Sequence, residues 1–104
     1  MGGPTAKANP DAAPRLRLDK WLWQARFFKT RAEAAALIGK GRVRVNGQRC
    51  LKPGHGVAVG DVLTFAQGDA VRLISVAALG VRRGPYAEAQ TLYIDRDAAP
   101  SPLE

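Results

Sequence analysis

The sequence holds one cysteine and one histidine, and neither has a partner of its own kind. A lone Cys50 excludes a disulfide framework and a cysteine-based zinc set; its alternating surroundings mark it as a small, inward-facing hydrophobe. His55 stands in a Gly-His-Gly loop with no second ligand or nucleophile at a useful spacing, which argues against acid–base catalysis. No apolar run approaches the roughly 20 residues of a membrane span, and no signal-peptide pattern opens the chain. A reducing, cytoplasmic setting is expected. Neither a Gly-rich cofactor loop nor a constellation of carboxylates or nucleophiles appears, so no cofactor, no metal and no catalytic residue are expected.

Negative charge is also scarce. Nine Asp and Glu face sixteen Lys and Arg, for a net charge of +7 and a pI near 10.3. The excess is concentrated. Residues 15–49 hold Arg15, Arg17, Lys20, Arg26, Lys29, Arg31, Lys40, Arg42, Arg44 and Arg49 against only Asp19 and Glu33, a local charge of +8. The remainder is slightly acidic. Clustering of this kind is the electrostatic footprint of a protein that meets a polyanion. Arginine dominates, and its planar fork suits phosphate and stacks on bases. With 104 residues the chain has room for one domain and one modest core.

The stretch "GRVRVNGQR" (41–49) predicts a hairpin, because Asn46-Gly47 tolerates the positive φ angles of a two-residue type I′ turn. That turn places Val43 opposite Cys50 on one face and Arg44 opposite Arg49 on the other. Like charges directly opposed across a ladder are destabilising. Either solvent screens the pair, or an anion lies there.

Leu18, Trp21, Leu22, Ala25 and Phe28 fall within about a third of a helical wheel, predicting a helix over Leu18–Phe28 with these residues inward. "TRAE" (30–33) is a capping box, opening a second helix that runs to about Ile38 with Ala34, Leu37 and Ile38 inward. Gly39 and Gly41 are expected to stop it. On the wheel Arg31 shares the meridian of Ile38, but at the first helical position it reaches outward past the helix end. "VAVGD", "VLTF" and "AVRLISV" read as strands punctuated by Gly60-Asp61 and Gly68-Asp69. Residues 81–94 are ambiguous between a short helix started by Pro85 and a "TLYI" strand, the helix being favoured. Residues 1–14 read as a flexible arm and residues 96–104 as a flexible tail, whose closing Leu-Glu is a candidate appended dipeptide.

Trp23 and Phe27 lie four residues apart, opposite the core stripe, with Lys20 between them and Asp19 and Arg26 to the side. An exposed aromatic pair among cations suits base stacking with phosphate neutralisation; the alternative is that both rings pack on the sheet or the arm.

"RLDKWLWQARFFKTRAEAAALIGKGRVRVNGQ" (17–48) resembles the S4 RNA-binding domain: Arg-Leu-Asp at the first helix, Thr-Arg opening the second, then Gly-x-Val-x-Val-Asn-Gly. "DKWLW" and "RRGPYAEAQTLY" are similar to one branch, the bacterial heat-shock protein 15 family, so that the likeness covers residues 15–95. It implies an α+β fold with an αL motif, two packed N-terminal helices against a small, mainly antiparallel sheet of three to five short strands, and a short C-terminal helix. By position it implies an RNA-contacting surface of Arg17, Lys20, Lys29, Thr30, Arg31, Arg42, Arg44 and Arg49; Arg26, beside the aromatic pair, completes the candidate set. The implied role is non-enzymatic: binding ribosomal RNA of the large subunit, with tRNA as a further partner, in recycling of stalled subunits under stress by a protein monomeric when free. Members of that family carry a long basic helical tail, whereas this sequence ends in a short acidic one. The S4 domain also occurs on pseudouridine synthases, tyrosyl-tRNA synthetases and RNA methyltransferases, but the about fifty residues after the motif hold no catalytic domain. Competing readings are a general structured-RNA or tRNA module, a protein-interaction module, and a membrane-surface helix at "KWLWQARFFK".

Overall fold

A computed structural model describes residues 14–67 and 69–96; the expected arm and tail lie outside them but for Pro14 and Arg96, as does Gly68 of the Gly68-Asp69 turn. The chain enters as a two-residue strand, β1 (Leu16–Arg17), paired antiparallel with β4 (Gly56–Val57). Helix α1 (Leu18–Gln24) follows without a break. Its first amides are satisfied by the β4 approach loop rather than by a capping side chain: Leu18 N–H donates to His55 O at 2.8 Å and Asp19 N–H to Pro53 O at 3.1 Å.

The helix ends four residues earlier than its apolar pattern predicts. Arg26 adopts φ 65°, Arg26 N–H donates to Trp23 O, and Phe27 N–H reaches back to Leu22 O at 3.1 Å. Those two bonds define a Schellman turn, with an arginine where glycine is usual. The turn swings Phe27 away from the helix surface and into the core. Of the two readings of Trp23 and Phe27, a shared exposed helical face is therefore incorrect, and for Phe27 the alternative, a ring packed on the sheet, holds.

Helix α2 (Arg31–Gly39) begins at Thr30, whose hydroxyl accepts from Glu33 N–H at 3.1 Å, one half of the predicted capping box. Ala34 and Ile38 are buried, and Leu37 is partly so. Gly39 remains helical. Gly41 alone, at φ +75°, makes the turn, and a Cβ there would stand 3.0 Å from Arg49 Cδ and 3.1 Å from Leu51 Cδ2. Only glycine meets both demands.

Strands β2 (Val43–Val45), β3 (Gln48–Cys50), β5 (Val62–Gln67), β6 (Ala70–Val76) and β7 (Tyr93–Asp95) form one sheet in the order β3-β2-β5-β6-β7, every pair antiparallel. Asn46 (φ 53°) and Gly47 (φ 84°) make the predicted tight turn, and Arg44 faces Arg49 while Val43 faces Cys50. Asn46 also clips the hairpin to β5: its Oδ1 accepts from Val62 N–H at 2.9 Å and its amide donates to Asp61. In the ambiguous segment both readings find a place. Helix α3 (Tyr86–Ala89) and a 3₁₀ turn (Gln90–Leu92) lead into β7, with Pro85 just before the first turn.

The two N-terminal helices cover one face of the sheet. Leu18, Trp21 and Leu22 of α1 and Ile38 of α2 are fully buried with Val43, Leu63, Phe65, Ile74 and Val76. Thus α1 buries its apolar face in the protein's own core, which removes the basis for a membrane-surface helix. No described helix is long and apolar enough to cross a membrane.

A strap over residues 78–84 closes the other side of α1. Trp21 Nε1 donates to Ala78 O (2.9 Å), Gln24 Nε2 to Leu79 O (3.0 Å) and Arg26 Nε to Gly84 O (2.6 Å). In return Arg83 Nε donates to Trp23 O at 3.0 Å and Arg83 Nη2 to Phe28 O at 3.5 Å. Buried polar groups need such partners, and here most come from main-chain carbonyls far along the sequence.

Candidate nucleic-acid interface

The candidate cations fall into two groups. The first surrounds Asp19. Its carboxylate is nearly buried (5% exposed) and takes a two-pronged contact from Arg17, Nε to Oδ1 and Nη2 to Oδ2, both 3.1 Å. Arg31 Nη2 lies 3.5 Å from Oδ1, and Lys20 N–H donates to the same oxygen at 2.8 Å. Burial pushes the Asp19 carboxyl upward, but the hydrogen bond and charge of Arg17, the Lys20 amide and the charge of Arg31 outweigh it and hold it below the ordinary carboxylate range. One carboxylate thus aligns two exposed arginines and leaves a net positive charge. The wheel puts Asp19 to the side and gives no sign of this role. Arg31 does reach outward past the start of α2, as its first-turn position allows.

The second group lies on the hairpin and the turn before it. Arg42, Arg44 and Arg49 are all exposed on the face away from the core. Arg44 sits between Arg49 on β3 and Thr64 on β5. The aliphatic stem of Arg49 lies over Gly41, which brings it back toward the end of α2. Among the described residues, no carboxylate lies within ion-pair distance of Lys29, Lys40, Arg42, Arg44 or Arg49. Thr30 and Lys29 are exposed in the short connection between the helices, and Lys20 is half-buried on α1.

Three candidates differ from expectation. Phe27 is 6% exposed, with ring centroids 5.0 Å from Phe65 and 4.6 Å from Tyr93, so it is unavailable for base stacking. Trp23 is half-buried, and the Arg83 guanidinium covers its ring at 5.5 Å. Arg26 is exposed, but its Nε is engaged by the Gly84 carbonyl. Arg83 was not foreseen as a partner of α1, since main-chain acceptors leave no signature in a sequence.

No group of three or more His, Cys, Asp or Glu among the described residues could hold a metal ion. The Cys50 thiol is buried and lies 3.5 Å from Lys52 O, in keeping with its inward strand position.

Comparison with known proteins adds four likenesses. The S4 domain model matches residues 16–63. Heat shock protein 15 of Escherichia coli is 48% identical over 81 residues, 78% of this chain and 60% of that protein. The RQC P-site tRNA stabilizing factor of Listeria monocytogenes is 43% identical over 56 residues, 54% of this chain and again 60% of the relative. Among solved structures, the trimeric heat shock protein 15 of Vibrio cholerae superposes with a TM-score of 0.75 at 41% identity, covering 79% of this chain and 82% of that one. The chain thus spans about 60% of the length of the first two relatives.

Proposed function

Given that this chain belongs to the heat shock protein 15 family, with an S4 domain at its core, we propose that it binds structured RNA and catalyses no reaction. The supporting observation is the opposed, exposed and uncompensated pair Arg44–Arg49, with Arg42 just before its strand. A fold that places like charges against each other gains from a ligand that neutralises them. The Asp19-aligned arginines Arg17 and Arg31 offer a second phosphate contact, and Lys20 and Thr30 stand beside them. Phosphate contacts of this kind position an RNA without reading its sequence.

Ribosomal RNA of the large subunit is the RNA we favour, on subunits stalled during translation, in the cytoplasm. The likeness to a P-site tRNA stabilizing factor supports tRNA as a neighbouring partner. With about five to eight phosphates neutralised and a slope of roughly 0.7–0.9 per phosphate, RNA affinity should fall by several orders of magnitude per decade of salt. Titration of a large-subunit RNA fragment at several salt concentrations tests the reading, and a nearly flat dependence refutes it. Co-sedimentation with isolated large and small subunits then tests the ribosomal assignment.

A further inference from the structure

Next to Arg42, between α2 and the end of β5, runs a trough whose apolar interior phosphate binding does not use. One wall is the outer face of α2, where Glu33, Ala36, Leu37 and Lys40 follow one another at helical spacing. The other is the end of β5, Ala66 and Gln67, and Phe28, with Phe27 before it, completes the lining from the connection between the helices. Small side chains at Ala36 and Ala66 leave the space open. Lys29, Lys40 and Arg42 ring it against a single carboxylate, Glu33.

The trough is also held rigidly. Gln67 Nε2 donates to Phe27 O at 2.8 Å, Gln67 Oε1 accepts from Arg72 Nη1 at 2.9 Å, and Arg83 Nη2 reaches Phe28 O. Phe28 is further backed by Phe65, ring centroids 5.9 Å apart. A preformed apolar slot needs little ordering when it is filled.

We propose that this trough takes one unpaired base of the bound RNA, an inference that rests on the RNA-binding reading above. An aromatic and apolar lining with three cations around it matches a nucleotide, whose flat base hangs from a ribose flanked by phosphates. A fully paired helix offers phosphates but no free ring. The protein therefore distinguishes an RNA with a bulged or looped-out nucleotide from a continuous duplex.

The experiment compares two hairpin RNAs, one fully paired and one with a single bulged 2-aminopurine, bound to the wild-type chain and to Ala36→Leu. Ala36 is exposed on α2 and leucine is a good helix former, so the variant fills the slot while retaining its fold, which a thermal melt verifies. The wild type should bind the bulged RNA about tenfold or more tightly, the lower range for base stacking on an aromatic ring, and quench the 2-aminopurine. Ala36→Leu should lose that preference and the quenching while binding the paired hairpin as before. Equal affinities in the wild type, or a preference that survives in Ala36→Leu, overturn the slot but leave phosphate binding standing. Binding of neither RNA at low salt refutes the RNA reading, and the slot with it. An acidic aromatic peptide that binds the wild type and not Ala36→Leu, with no bulge preference, assigns the trough to a protein segment and also overturns the proposal.

Discussion

Arg44 and Arg49 are direct partners across the β2–β3 ladder, both exposed, with the Arg49 stem laid over Gly41. Arg49→Glu should turn this repulsion into attraction and stabilise the free protein by about 0.2–1 kcal/mol. Arg49→Gln, which only removes the charge, should give part of that gain. If phosphate lies on this face, both should weaken RNA binding and lower the salt slope by about one, the glutamate more severely. Melts and RNA titrations of the two variants decide. A stability gain with unchanged affinity would mean that solvent alone screens the pair.

Lys29 and Arg31 flank the cap of α2 without making it. Replacing both with alanine should weaken RNA binding for all sequences alike while leaving the fold in place. Thr30→Ala should instead cost about 1 kcal/mol of stability through the lost bond to Glu33 N–H. Paired urea melts and binding curves separate the two effects; unfolding of the double variant would make the two cations structural.

Asp19 ties stability to pH. Its carboxyl is held below the ordinary range in the folded chain, so its stabilising contribution is fully present above the unfolded pKa of about 3.9 and is lost as pH falls through the lower folded value. Asp19→Asn should cost about 1.5–3 kcal/mol near neutral pH, the range for hydrogen bonds to a charged group. The gap between wild type and variant should narrow below about pH 4. Urea melts at pH 7 and pH 3 measure it, and a gap that stays constant excludes the ionised carboxylate as its source.

Arg26 occupies a left-handed backbone position that an L residue adopts at a penalty. Arg26→Ala and Arg26→Gly both lose the bond to Gly84 O. Only glycine relieves the backbone, so Arg26→Gly should be more stable than Arg26→Ala by about 1 kcal/mol. Equal stabilities in denaturant would show that the turn carries no such strain.

What a reader of the sequence could and could not foresee follows from the range of the forces involved. The hairpin register follows from two adjacent residues, Asn46 and Gly47, and the α2 cap from Thr30 and Glu33, so both are legible. The end of α1 is not. No glycine marks the Schellman turn, and "RFF" continues the apolar pattern past the point where the backbone reverses. Phe27 accordingly falls on the outer side of the wheel, which leaves it open between surface and packed ring, and it proves to be core. Of the site, the individual cations are visible in the sequence, but their division into an Asp19-aligned group and a hairpin group depends on how helices and sheet meet. Ala78 and Leu79 hold α1 through their own backbone carbonyls, and the Arg83 guanidinium holds it through the carbonyl of Trp23; main-chain acceptors leave no trace in side-chain identity.

The strap also fixes when α1 can settle during synthesis. Trp21 finds the acceptor for its indole N–H at Ala78, 57 residues later. At about 5–20 residues per second, several seconds separate the two on a translating ribosome. The strap side of α1 is therefore late to lock, and its closure is a long-range step of the kind that slows folding. Until then the side of α1 that the strap covers is open to whatever surrounds the nascent chain.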